Sequence, residues 1–277
     1  MVEFNTTGNV FFDSLEAGDR QSLAEAARVA SLQTGRTLCE AGRPFATVFL
    51  PTTTVVSIIL QYADGRDVEV RSVGNESIVG VMAAISGSSS ETTARVQITG
   101  DAVAIPADRF RERALQSSSL LRSALQFAQA NLSQTERTVG CRSLHGLSSR
   151  LARWLLVSQD RVGARPLLLN QDYMSVMTGA LRTSVSVCAG EFKKAGLIDY
   201  RRGRVEILDR PGLEAQACDC YLKDRQDRLK LGSPVRTDAG WRHPHVRDTF
   251  SIGSELKPRV DQSLIPVGKA AVEPYSA

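Results

Sequence analysis

The chain has 277 residues, 42% of them hydrophobic and 23% charged, values of a soluble protein with one large or two modest cores, not of a disordered or fibrous one. No apolar run approaches the ~20 residues a membrane span needs, which excludes a transmembrane protein. The formal charge of +4 is unevenly spread: residues 1–115 hold 10 Lys and Arg against 14 Asp and Glu, and residues 144–210 hold 11 against 6. Only the second region suits a polyanion.

The start, MVEFNTTGNVFFDSLE, is acidic and lacks the parts of an export signal. Five scattered cysteines form no disulfide framework, so a reducing cytoplasm is expected. Residues 13–32 read as an amphipathic helix. From Gly35 the period becomes strand-like, with short β segments expected near 36–40, 46–50, 54–62, 67–73, 78–82, 93–98 and 101–105. Turn signals separate them, the clearest being Asp64-Gly65 inside the hairpin 62–66. Many short strands with regular turns predict a small antiparallel barrel or jelly roll over 1–115.

A helix restarts after Pro106, and a longer one is expected over 117–142. There Leu121, Leu125, Ala128, Leu132, Thr135 and Val139 recur at alternating steps of four and three, a heptad seam that fits one helix pairing with its copy in a dimer. The alternative is a helix packed only on its own domain. Residues 147–159 form a further helix with Leu151, Trp154 and Leu155 inward.

The most informative stretch is 169–198, two short helices joined by a tight turn. Asn170 caps the first, Met174 and Met177 face inward, and Gly179 breaks the run. Val185, Cys188, Ala189 and Phe192 give the second helix its core stripe. Its opposite face carries Arg182, Thr183, Ser186 and Val187, where a recognition helix presents side chains to base edges. A hairpin with the basic tip Arg201-Arg202-Gly203-Arg204 follows, so the unit over 144–222 reads as a winged helix with arginines beside phosphate. Residues 223–277 turn polar and Pro-punctuated and are expected to be a disordered tail. The fold class is therefore α+β: an N-terminal antiparallel β-roll, a long dimerisation helix over 116–143 and a C-terminal winged helix-turn-helix.

In this order the parts resemble the Crp/Fnr family of bacterial transcription regulators. The likeness covers about residues 13–221 and is most specific in RSLHGLSSRLARWLL, the helix-turn-helix and AGLIDYRRGRVEILDRPGLEAQACDCY. It implies a homodimer that binds a roughly palindromic promoter site on double-stranded DNA, with RNA polymerase as a further partner, in answer to a signal received by the β-roll. Members that bind cyclic nucleotide carry a Gly-Glu pair and, about ten residues later, an Arg followed by Ser or Thr. Here Gly80 matches, but Val81 replaces the Glu and Thr92-Thr93 stands where the Arg would be. Arg95 is out of register on a strand whose faces alternate. Cyclic AMP is not the expected effector, whose identity stays open. In the recognition helix Arg182 aligns with the family's guanine-reading Arg, while Thr183 and Val187 depart from the better-known members, so the target differs from the familiar boxes.

Cys218-Asp219-Cys220 offers two thiols where zinc wants four ligands, and it reads as local packing. His243-Pro244-His245 falls in the expected tail, and no metal site is predicted. Without a Ser/His/Asp set, P-loop or dinucleotide motif, no enzyme is expected. Two rival readings remain: a cyclic-nucleotide or other small-ligand sensor whose winged helix makes protein contacts, and an RNA-binding protein. The second would call for exposed aromatics among the basic residues, and only Tyr200 lies near the wing.

Overall fold

A computed structural model describes residues 7–163, 166–201 and 203–231. The chain opens with α1 (Val10–Asp13) and α2 (Ala17–Ala24). Then come β1 (Arg28–Leu32), β2 (Thr37–Cys39), β3 (Thr47–Pro51), β4 (Val55–Gln61), β5 (Asp67–Val73), α3 (Val81–Ser86), β6 (Thr93–Ile98) and β7 (Gly100–Pro106). The helices α4 (Ala107–Gln116), α5 (Ser118–Leu144) and α6 (Leu147–Val162) lead to β8 (Leu167–Leu168), α7 (Gln171–Thr178) and α8 (Arg182–Lys194). The hairpin β9 (Ile198–Arg201) and β10 (Arg204–Ile207) and the helices α9 (Arg210–Gln216) and α10 (Cys220–Leu231) complete the described chain. Among these residues no helix is long and apolar enough to cross a membrane.

Two antiparallel sheets, ordered β1-β7-β3 and β2-β6-β4-β5, form the β-roll. They share a core that includes Leu32, Phe49, Val56, Ile58, Val96 and Ala104. The run VVSIIL of β4 is apolar on both faces, and the structure gives the reason. Val56 and Ile58 fill the roll, whereas Val55 joins the core of the C-terminal domain. A strand covered on both sides loses the alternation of a half-exposed one.

Two sequence expectations are corrected in this region. The helix expected over 13–32 is divided into α2 and β1, because Arg28 through Leu32 pair with Ala104 through Gly100 of β7 and Leu32 is buried. The sheet ladder overrides the helix propensity of an Ala-rich segment. The strand expected at 78–82 is a single bridge from Val79 to Phe49, after which α3 begins. Gly80 takes φ +86, and a Cβ there would stand 2.7 Å from the Phe45 ring, so the strand ends at a residue only glycine can supply.

Ser117 caps α5 by accepting the Leu120 N–H at 3.2 Å. One face of this 27-residue helix packs on the sensor through Leu120, Ala124 and Phe127, whose ring meets Phe11 edge-on at 5.1 Å. Along the outer face Leu125, Leu132 and Val139 are 47%, 51% and 63% exposed, with Leu121, Ala128 and Thr135 half-buried between them.

The tail expected from 223 is corrected as far as Leu231, which ends α10. That helix has no apolar stripe: Tyr221 at its start is buried in the C-terminal core and Leu231 packs at its end, and between them its hold on the domain is ionic. Asp224 receives Arg137 at 2.6 Å and Arg153 at 2.7 Å, and Arg228 donates to the Asp160 carbonyl at 2.6 Å. A polar helix held by charge pairs gives no periodic signal in sequence. The rest of the expected tail, 232–277, lies outside the described residues.

Candidate nucleic-acid interface

Each end of the helix-turn-helix is fixed by its own residues. Asn170 Oδ1 accepts the Tyr173 N–H at 2.8 Å and starts α7. Gly179, at φ +61, stops it, and Ser175 Oγ donates to the Ala180 carbonyl at 2.6 Å across the turn. Val185, Cys188, Ala189 and Phe192 of α8 are buried in one core with Leu151 and Leu155 of α6, Met174 and Met177 of α7, and Val205 of the wing. That anchoring leaves the other side of α8 to solvent. Arg182, Thr183 and Val187 are exposed there and Ser186 is half-buried.

Arg182 is already oriented. Its Nη1 lies 3.0 Å from Asp172 Oδ1 and its Nε donates to Gln171 Oε1 at 3.3 Å. Both partners of the ion pair are well exposed, so it contributes only about 0–1 kcal/mol and yields readily to a stronger acceptor. Ser186 Oγ donates to the Arg182 carbonyl at 2.9 Å and keeps its lone pairs free to accept. Gln171, Asp172 and the exposed Ser184 were missed from sequence. Their signal is the cap: residues following Asn170 start α7, and the turn brings that start beside the start of α8.

In the wing, Arg201 stands opposite Arg204 in the β9–β10 ladder and both are exposed. Gly203, at φ +76, supports the reversal. Arg202, the third predicted phosphate contact, lies outside the described residues. Asp199 gathers two cations, Lys193 Nζ at 2.8 Å and Arg201 Nε at 3.2 Å, and these hold its carboxyl below the usual range. Lys193 thus extends the basic edge from α8 to the wing.

The back of the domain rests on the sensor. Tyr173 Oη donates to the Val96 carbonyl at 3.4 Å, and Arg142 at the end of α5 donates to the carbonyls of Glu69 and Met177 at 2.7 and 3.0 Å. Deeper still, Arg161 of α6 donates to Ser72 Oγ and to Glu76 Oε1 at 2.5 and 2.6 Å with both charged groups buried.

On the opposite side of β4 a cleft of about 330 Å³ lies between the β-roll and α5. Gly80, Val81 and Thr92, the residues compared above with the family's nucleotide-holding ones, line it, and Ala128, Leu132 and Thr135 of α5 close it. Arg95 does not line it; Arg95 pairs with Ser57 in the ladder and reaches Asp67 at 3.4 Å. Arg71 carries no motif or spacing that would mark it in the sequence. A bulge at Val70 sets Arg71 opposite Ile58 and Glu69 opposite Ile59, so the two charged residues leave β5 on different faces although their spacing of two suggests one face. Arg71 enters the cleft, and its Nη1 is buried without a hydrogen-bond partner among the described residues. Burial and then the like charge of Arg161 pull its pKa down to about 10, against the pull of Glu76.

Comparison with known proteins places both halves. A family model for a Crp-like helix-turn-helix domain matches residues 149–216, and one for a cyclic nucleotide-binding domain matches residues 29–117. No curated protein matches the chain at a significant level. Among solved structures, FixK2 from Bradyrhizobium japonicum has a TM-score of 0.60 at 16% identity, covering 69% of this chain and 98% of that one. A putative crp/fnr-family regulator from Eubacterium rectale has a TM-score of 0.58 at 16% identity, covering 74% and 96%. The c-di-GMP-responsive regulator CLP from Xanthomonas campestris has a TM-score of 0.56 at 18% identity, covering 70% and 100%. At such identities the likeness is one of fold.

Proposed function

Because this chain belongs to the Crp/Fnr family and is a DNA-binding transcription regulator of that type, we propose that it acts as a homodimer on one roughly palindromic promoter site. The two copies of α8 enter the major groove about 34 Å apart, one helical turn. The observation that carries this reading is the exposed face of Arg182, Thr183, Ser186 and Val187 above a fully packed core. Arg182 reads guanine, the Thr183 and Val187 methyls suit thymine, and Arg201, Arg204 and Lys193 neutralise phosphate. Arg202, between them in sequence, is assigned the same role. Leu121, Leu125, Ala128, Leu132, Thr135 and Val139 form the dimer seam, supported by the exposure of Leu125, Leu132 and Val139. The protein works in the cytoplasm, carries out no catalysis and meets RNA polymerase at the promoters it regulates.

The test is selection of bound sites from a random duplex library. Inverted half-sites spaced by about one helical turn are expected. Enrichment of no sequence, or of a lone half-site, counts against the proposal.

The effector is assigned to a class by Arg71. A guanidinium nitrogen buried without a hydrogen bond, as Arg71 Nη1 is, is costly, and an acidic ligand in the cleft would relieve that cost. Val81 and Thr92 lack the groups that hold the ribose and cyclic phosphate, so the acid is not cyclic AMP. Micromolar binding of cyclic AMP by calorimetry would overturn this part. An acidic effector would bridge Arg71 and the α5 seam and so link ligand to dimer geometry.

A further inference from the structure

The end of α5 and the junction of α9 with α10 bring four side chains to one point. Cys141 lies in the last turn of α5, and His145 is the C-cap residue four positions on, a spacing that puts both on one side of a helix. Cys218 precedes α10 and Cys220 is its first residue. The three sulfurs and one imidazole nitrogen all lie within 4.8 Å of one another. Cys141 Sγ is 3.5 Å from Cys218 Sγ, and Cys220 Sγ is 3.7 Å from His145 Nδ1. The pair Cys218 and Cys220, two ligands short in sequence, gains the other two by folding.

A zinc ion bound by sulfur at ~2.3 Å and nitrogen at ~2.0–2.1 Å sets tetrahedral ligand atoms about 3.5–3.8 Å apart. Two of the observed separations already have that length, and the longest has to shorten by only about 1 Å. The outer surroundings fit as well. Asp219 Oδ1 is 3.5 Å from His145 Nε2, the ring nitrogen that faces away from the sulfurs. A carboxylate in that place fixes the tautomer and leaves the Nδ1 lone pair pointing inward. The Arg153 guanidinium, beside Cys141, offsets the negative charge that three thiolates carry in excess of a dication. Cys141 and Cys218 are buried, and Cys220 and His145 are half-buried.

We infer that Cys141, His145, Cys218 and Cys220 form a structural site for one thiophilic divalent cation of the zinc class. Four protein ligands close the tetrahedron and leave no open position for chemistry. The four atoms converge on a single point, which suits one ion; a polynuclear iron–sulfur cluster stands between its ligands and needs them further apart. A Cys141–Cys218 disulfide would leave Cys220, His145 and Asp219 without a part. The site ties the end of the long helix to the last two helices across the corner where α5 gives way to α6. It therefore fixes the direction in which the winged helix leaves α5. Only that consequence for DNA binding rests on the proposed function; the site does not.

The test uses the full chain, reduced, metal-free and anaerobic, titrated first with Co²⁺ and then with Zn²⁺. Thiolate-to-cobalt absorption with tetrahedral d–d bands should saturate near one equivalent per chain and vanish as zinc displaces cobalt. The double variant Cys218→Ser, Cys220→Ser should lose the bands, and Cys39→Ser should keep them. Asp219→Asn should bind about 10–100-fold more weakly. Zinc should also slow alkylation of Cys141, Cys218 and Cys220 in the unaltered chain, a readout that needs no variant to fold. Absence of the cobalt–thiolate absorption in the folded protein, its survival in the double variant, or unchanged alkylation would overturn the site. Loss of operator binding with the metal signal intact would instead count against the proposed function.

Discussion

The arginines of the domain interface and those of the proposed DNA face differ in what surrounds them. Arg161 is buried, within 2.6 Å of the equally buried Glu76. Arg182 is exposed and shares only solvent-screened contacts with Asp172. A buried pair holds two domains together because each charge without its partner is expensive. An exposed pair costs little to open, so its arginine remains available to a ligand. Net charge counts both kinds alike. The basic surplus of residues 144–210 is thus partly structural and overstates what the duplex meets.

The contrast is broken most directly at Arg161. Arg161→Met leaves Glu76 buried beside an apolar chain and should cost about 3–5 kcal/mol in urea unfolding. A loss below about 1 kcal/mol, the level of an exposed pair, would erase the distinction.

Glu69 tests the same interface through pH. Burial raises its pKa to about 7, against the pull of a Ser57 hydrogen bond and of Arg161, Arg142 and Arg153. In the unfolded chain it titrates near 4.5. The folded state holds this proton more tightly, so its contribution is complete below pH 4.5 and is lost as pH rises through 7, a change on the order of 3 kcal/mol. The urea midpoint should fall between about pH 5 and 8, and Glu69→Gln should flatten that fall. An unchanged slope in the variant would show that Glu69 ionises freely at the interface.

On the exposed side, Arg182→Ala should leave stability within about 0.5 kcal/mol. It should remove about 1–3 kcal/mol of discrimination at one base position in each half-site. Equal weakening on operator and random duplex would make Arg182 a phosphate contact. The smallest effect is expected for Arg204→Ala: weaker binding to all duplexes alike and a salt slope lower by about one unit for each phosphate no longer neutralised. Sequence-dependent weakening would move Arg204 into the base-reading group.

Much of the helix-turn-helix was legible because its signals are local. Asn170 caps, Gly179 turns, and Val185, Cys188, Ala189 and Phe192 repeat at helical spacing, with each feature needing only residues within a few positions. Where the expectation failed, a distant segment decided. Arg28–Leu32 is a strand because β7 offers it a ladder, and α10 is a helix held by Arg137 and Arg153. The α5 seam lies between these cases: its heptad is plain in sequence and its exposure is plain in the structure, and the partner is proposed.

The order of residues was enough to predict the winged helix and the face of α8 that carries Arg182, since periodicity and caps are properties of neighbouring residues; the departures of Val81 and Thr92 from a nucleotide pocket were visible only through the resemblance to a family. Folding in three dimensions was needed to bury Arg161 and leave Arg182 exposed, to turn Arg71 into the sensor cleft through a bulge, and to bring Cys141 and His145 to Cys218 and Cys220. Burial and convergence depend on residues brought together by long-range packing, and one-dimensional order carries no measure of that distance.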